Sequence, residues 1–124
     1  MASSDESETY FYKMIGDFYR YMASIAYDEQ LESVKAGALE SYMLATKSAE
    51  SLHPCNMIKL GLALNFSVFY FEVMENHKES CEVNVSALDA ALEKIDEVDE
   101  ETYRDAKSIL ELLKENLAYW KDGK

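Results

Sequence analysis

The feature that most constrains this chain lies at its centre. Residues 57–74, MIKLGLALNFSVFYFEVM, are apolar almost all the way round a helical wheel. Such a helix has to be packed on several sides, so the rest of the chain must supply the elements that surround it. A membrane-spanning reading fits poorly, because Lys59, Asn65 and Glu72 are expensive in lipid and no excess of basic residues flanks the run. One proline and four glycines among 124 residues leave little turn punctuation, which favours long helices over many short strands. The length suits one domain with a genuine core.

Helical periodicity recurs on both sides of the central run. Over residues 9–27, Phe11, Met14, Phe18, Met22 and Ile25 form an apolar stripe, with Lys13, Asp17, Arg20 and Ser24 roughly opposite. Residues 28–50 carry Leu31, Val34, Ala38, Tyr42, Ala45 and Ala49 on one face, with Asp28 as the expected N-cap. Pro54 stops that helix and Asn56 can cap the third, over 57–75. After a short turn at 76–79, a fourth helix to about residue 96 is expected to bury Cys81, Val85, Leu88, Leu92 and Ile95. Asp99 caps a fifth helix, with Glu100 and Glu101 favourably placed in its first turn.

That fifth helix has two apolar stripes. Tyr103, Ala106, Leu110, Leu113, Leu117 and Trp120 form the core stripe. Ile109, Leu112 and Tyr119, interrupted by Asn116, lie about 100° around the axis. A second stripe must be covered by a partner element or line a binding surface. Loops of a few residues between long helices imply antiparallel neighbours, so the expected fold is all-α, an antiparallel array of five helices. The expected organisation is a disordered acidic leader over 1–8, a single helical domain over 9–122 and a tail at 123–124.

The net charge of −12 argues against a nucleic-acid partner, which would demand a basic face, yet leaves room for a local cationic pocket. Two cysteines, Cys55 and Cys81, and no apolar targeting segment point to a reducing, cytoplasmic setting with both thiols free. Glu50 and His53 have the Glu-x-x-His spacing of di-iron bundles, but such sites need a second pair, and His77 has Met74 three residues before it. No nucleophile with a nearby base and no Gly-rich phosphate loop stands out, so no enzyme, metal or cofactor is expected.

Three segments carry a family resemblance. They are YFYKMIGDFYRYM at 10–22, IKLGLALNFSVFYFEV at 58–73 and TYRDAKSILELLKENLAYW at 102–120. In order and spacing they resemble the 14-3-3 proteins. The resemblance implies a cup of nine antiparallel helices whose channel binds phosphoserine or phosphothreonine peptides, of which this chain would supply the last five. The earlier helices carry the family's main dimer contacts and two of its phosphate-holding cations. Met1 followed at once by an acidic stretch reads as an engineered fragment, a truncated gene product or a split protein.

By the same resemblance, Arg20 and Tyr21 match the family's phosphate-binding pair, and Lys13 a lysine of the channel. The chemistry suits them, since guanidinium offers a bidentate, permanently charged contact and phenol a neutral donor. Asp17 can orient Arg20 across one turn. Asn65 and Asn116 match asparagines that hold the peptide main chain, and an amide presents both donor and acceptor. Gly61, Leu64, Val68, Glu72, Ile109, Leu112 and Trp120 are expected along the groove. Ser108 replaces a leucine of the apolar wall, Ile15 a common lysine, Phe71 a common tyrosine, and Met57 a proline.

Two functions follow as expectations. The first is a phosphopeptide-binding adaptor that recognises phosphorylated client proteins with an incomplete phosphate clamp. The second is a self-associating helical module that joins through exposed apolar surface. Read without the resemblance, Lys13, Asp17 and Arg20 would be a solvated helix face. Asn65 would then be a satisfied buried amide.

Overall fold

The computed structural model describes residues 4–122. There the chain forms α1 (Ser4–Ala23), α2 (Asp28–Ser48), α3 (Met57–Glu72), α4 (His77–Lys94) and α5 (Glu100–Asp122), with 3₁₀ turns at Ala49–Ser51 and Ile95–Glu97. No strand occurs among the described residues. The all-α, five-helix reading is the observed fold.

Helix α3 is the hub. It packs against α4 and α5 on one side and touches α1 and α2 on the other. Its near-uniform apolarity is thereby used twice. Leu62, Phe66 and Phe69 join Ala38, Tyr42, Ala45 and Ala49 of the α2 segment in one buried cluster. Leu60 joins Cys55, Leu88, Ala91, Ala106, Leu110 and Leu113 in the other.

Helices α1 and α2 approach each other through reciprocal glycine–ring contacts. A Cβ on Gly16 would come within 2.8 Å of the Tyr42 ring, and one on Gly37 within 2.9 Å of the Tyr19 ring. Each helix thus receives a tyrosine of the other where it has no side chain of its own.

Capping follows the residues in three of four places. Asn56 accepts from the Ile58 and Lys59 amides at 2.9 and 3.1 Å. Asn76 accepts from the Glu79 amide at 3.1 Å, and Asp99 from the Thr102 amide at 2.8 Å. Asp28 departs from expectation. It is the first residue of α2 with φ 51°, and Tyr27 occupies the cap position without a side-chain bond.

Further differences concern α1 and α4. The leader expected to be disordered is helical from Ser4. Its carboxylates favour a helix start, and they also find remote donors. Ser48 Oγ donates to Glu8 Oε1 at 2.5 Å, Ser51 Oγ to Asp5 Oδ2 at 2.6 Å, and Asn56 Nδ2 to Glu6 Oε2 at 3.1 Å. Residues 1–3 of that leader, and the tail at 123–124, lie outside the described residues. The α4 seam is Ser80, Asn84, Leu88 and Ala91, leaving Leu92 43% exposed. Asn84 can sit in that seam because its Nδ2 donates to the Leu113 carbonyl at 2.9 Å.

Candidate functional site

The site grows from one carboxylate. Asp17 lies on the polar face of α1, one turn after Lys13 and nearly one turn before Arg20. Lys13 Nζ donates to Asp17 Oδ2 at 3.0 Å. Across the helix boundary, Asn65 Nδ2 of α3 lies 3.1 Å from each Asp17 oxygen. The Tyr42 hydroxyl of α2 donates to Asp17 Oδ1 at 2.5 Å. Three helices therefore meet at Asp17.

Arg20 reaches this network by a different route from the one its spacing predicts. Its terminal amine stands 4.0 Å from Asp17 Oδ1, the outer edge of an ion pair. Its Nε donates to the Tyr42 hydroxyl at 3.1 Å. The side chains of Lys13, Asp17 and Arg20 are 18%, 26% and 30% exposed, so none is a freely solvated surface charge. Lys13 is directly neutralised by Asp17, which leaves Arg20 as the less compensated cation. The Lys13 stem lies over α3, because a Cβ on Gly61 would meet its Cε at 3.5 Å.

Burial first, and the Asp17 carboxylate second, raise the Tyr42 phenol well above its ordinary range, with Arg20 opposing. The hydroxyl serves as donor to Asp17 and acceptor from Arg20 at once.

Beside this network is an open cleft. Arg20 and Tyr21 line it together with Ser24, Val73, the carboxylates Glu72 and Glu75, and Lys35, which pairs with Glu32 at 3.5 Å. A guanidinium and a phenol side by side offer charged and neutral donors to an anion. A separate concavity between α2 and α4 is lined chiefly by apolar groups such as Ala49, Ala63, Phe66 and Ala87. Its cation, Lys59, is committed to the Leu52 carbonyl at 3.1 Å, and burial lowers its pKa. That concavity offers an anion little.

The residues singled out in the sequence separate into groups. Lys13, Arg20 and Asn65 come together around Asp17, Gly61 lies under the Lys13 stem, and Tyr21 and Glu72 join Arg20 in the cleft. Leu64 and Ile109 pack against the α3–α5 core. Val68 and Asn116 are partly buried and Leu112 is 47% exposed; none of the three takes part in the bonds around Asp17. Trp120 is only 7% exposed and stacks on Phe71 at 4.8 Å, which itself stacks on His77 at 4.3 Å. It fastens the end of α5 to the end of α3.

Sequence reasoning missed Tyr42, which was read only as part of an apolar stripe. A signal was present. A phenol in a row otherwise made of alanine, valine and leucine has to find a partner for its hydroxyl once buried. Among the described residues, no group of three or more His, Cys, Asp or Glu side chains could hold a metal ion, and no helix is long and apolar enough to cross a membrane.

Comparison with known proteins bears on this arrangement. A family model described as 14-3-3 protein matches residues 1–121. The chain is 46% identical over 119 residues to 14-3-3 protein 2 of Entamoeba histolytica, covering 96% of this chain and 50% of that protein. It is 42% identical over 119 residues to 14-3-3 protein homolog 1 of Schistosoma mansoni, covering 96% of this chain and 47% of that protein. It is also 42% identical over 120 residues to the checkpoint signal transducer rad24 of Schizosaccharomyces pombe, covering 96% and 44% respectively. The chain spans about half the length of the curated relatives it matches. With the family model matched from residue 1 to residue 121 and the five helices in place, the chain belongs to the 14-3-3 family.

Proposed function

We propose that this chain takes part in binding phosphoserine- or phosphothreonine-containing segments of client proteins, as an adaptor rather than an enzyme. Arg20 and Tyr21 receive the phosphate, with Lys13 beside them. Asn65 and Asn116 hold the peptide main chain, and Gly61, Leu64, Val68, Glu72, Ile109 and Leu112 shape the groove, which Trp120 supports from behind. The observation that carries this reading is the pairing of Arg20 with Tyr21 in one cleft, adjoining an amide of α3 held by the same carboxylate network. Free thiols on Cys55 and Cys81, the first buried with its Sγ 3.3 Å from the Ala91 carbonyl, suit a reducing cytoplasmic setting.

Binding by this chain alone is expected to be weak. Lys13 is already neutralised, so one guanidinium supplies most of the charged recognition. A charged hydrogen bond contributes about 1.5–3 kcal/mol, against an association cost of about 4–15 kcal/mol. Titration with a phosphoserine peptide and its serine counterpart checks this. A weak preference for the phosphorylated form, abolished by Arg20→Gln, is the expected result. Submicromolar binding by the chain alone would overturn the incomplete clamp, and a preference that survives Arg20→Gln would remove Arg20 from the site.

A second reading rests on a separate observation. The outer stripe of α1 faces solvent, with Phe11, Met14, Phe18 and Ile25 each about half exposed or more. A contiguous apolar face of this kind tends to recruit a partner, so self-association through α1 is the alternative. Light scattering over a concentration series decides it: mass rising with concentration supports it, and a monomer throughout counts against it.

A further inference from the structure

Resting on the phosphopeptide reading above, the geometry points to Tyr42 as the positioning residue of the site, a buried phenol on α2 that fixes where the Arg20 guanidinium of α1 stands.

The ring is held on two sides. Gly16 of α1 leaves only enough room for it, since a Cβ there would come within 2.8 Å. Phe66 of α3 stacks against it at 5.1 Å with 21° between the planes. Tyr42 is 0% exposed, so it touches no ligand itself. A ring held this way has little freedom left to lose, and its hydroxyl stands at a fixed point between α1 and α3.

The hydroxyl is used in both directions. Its proton goes to Asp17 Oδ1 and its oxygen accepts from Arg20 Nε. The direct Asp17–Arg20 contact, at 4.0 Å, is too long to aim a guanidinium. Aim comes from the phenol. Because the bond uses Nε, both terminal amino groups of Arg20 stay available for a forked contact with phosphate. Asp17 in turn holds Asn65, so one relay sets the phosphate donor and the main-chain amide relative to each other. Pre-set donors lose less ordering entropy on binding, which is where such a relay would be felt.

Tyr42→Phe keeps the ring and removes only the relay. Two readouts are needed: the solvent exchange of the Arg20 Nε–H by NMR, and the affinity for a phosphoserine peptide beside its serine counterpart. In the unaltered chain the Arg20 Nε–H exchanges more slowly than that of Arg104, whose side chain is 72% exposed. In Tyr42→Phe that protection is lost and the phosphopeptide Kd rises about five- to tenfold, the worth of one hydrogen bond, with the serine peptide unaffected. Gly16→Ala, which keeps the hydroxyl but crowds the ring, weakens phosphopeptide binding in the same sense.

Protection and affinity both unchanged in Tyr42→Phe would overturn the assignment. Should that variant fail to fold, the unaltered chain still decides, since a rapidly exchanging Arg20 Nε–H also overturns it. A protected Nε–H that Tyr42→Phe releases, in a chain indifferent to phosphorylation, upholds the relay and overturns the phosphopeptide reading instead.

Discussion

The two buried clusters that share α3 are built from different materials. The cluster between α1, α2 and α3 sets stacked aromatic rings among small alanines and Leu62. Tyr42 stacks on Phe66, Phe66 stacks on Tyr70 at 4.7 Å, and Phe69 lies tilted against them. The cluster among α3, α4 and α5 is aliphatic, made of leucines, alanines and Cys55. Leucine and alanine contacts are non-directional, and they fill space without fixing a polar atom at a point. Aromatic planes, one of them ending in a hydroxyl, do fix such a point. The polar network of Asp17 grows out of the aromatic side alone. One half of the molecule holds the scaffold together, and the other aims the candidate site.

The largest effect expected from breaking this contrast comes from the aliphatic side. Leu113 is fully buried, so Leu113→Ala should destabilise the fold by about 2–5 kcal/mol in urea unfolding. Folded molecules of that variant should keep the Arg20 Nε–H protection of the unaltered chain. Loss of that protection would show that the two clusters are not separable.

Next is alkaline pH, which acts mainly on the aromatic side. The folded-state pKa of Tyr42 lies above its unfolded value near 10, so the folded chain keeps a proton that the unfolded chain has released. The Tyr42 contribution is therefore complete below about pH 10 and falls as pH rises through the interval, by up to about 1.4 kcal/mol per pH unit. Tyr70 and Cys55 shift in the same direction, each through burial first, with Glu79 and Glu97 respectively adding to it. Melting temperatures from pH 8 to 11 should show a flatter alkaline limb in Tyr42→Phe. An equally steep limb would contradict the assignment.

The smallest effect separates local from tertiary order on the aliphatic side. Asp99 caps α5, and its bonds to Thr102 hold its carboxyl below the usual carboxylate range. Asp99→Ala should lower stability slightly at neutral pH, by less than either change above. Because the folded pKa is depressed, that contribution is present above the ordinary carboxylate pKa and fades as pH falls through the lowered value. Unfolding curves at neutral and acid pH check it. A loss as large in acid as at neutral pH would remove the cap from the explanation.

Helix identity was legible wherever a stripe was continuous. Val34, Ala38, Tyr42, Ala45 and Ala49 are buried as their spacing demands, and Asn56 and Asp99 cap as their positions suggest. What escaped was set by partners distant in sequence. The start of α1 depends on Ser48, Ser51 and Asn56, about 40 to 50 residues away. The α4 seam depends on a carbonyl 29 residues from Asn84. The apolar stripe of α1 was legible as a stripe but not as an exposed one, since periodicity reports a face and not what covers it. In the site, the resemblance named Arg20, Lys13 and Asn65, and spacing alone linked Asp17 to Arg20. The phenol that joins them belongs to neither signal, because its role exists only once α2 crosses α1.

The central claim is that phosphate is received in the cleft lined by Arg20 and Tyr21, beside the Asp17 network that holds Asn65. Backbone and side-chain NMR shifts recorded while a phosphoserine peptide is added test it most directly. Changes concentrated on Lys13, Arg20, Tyr21 and the Asn65 side-chain amide, and lacking with the serine peptide, are the predicted result. Shifts confined to the outer α1 stripe around Phe11, Met14 and Phe18, or identical with both peptides, would contradict it.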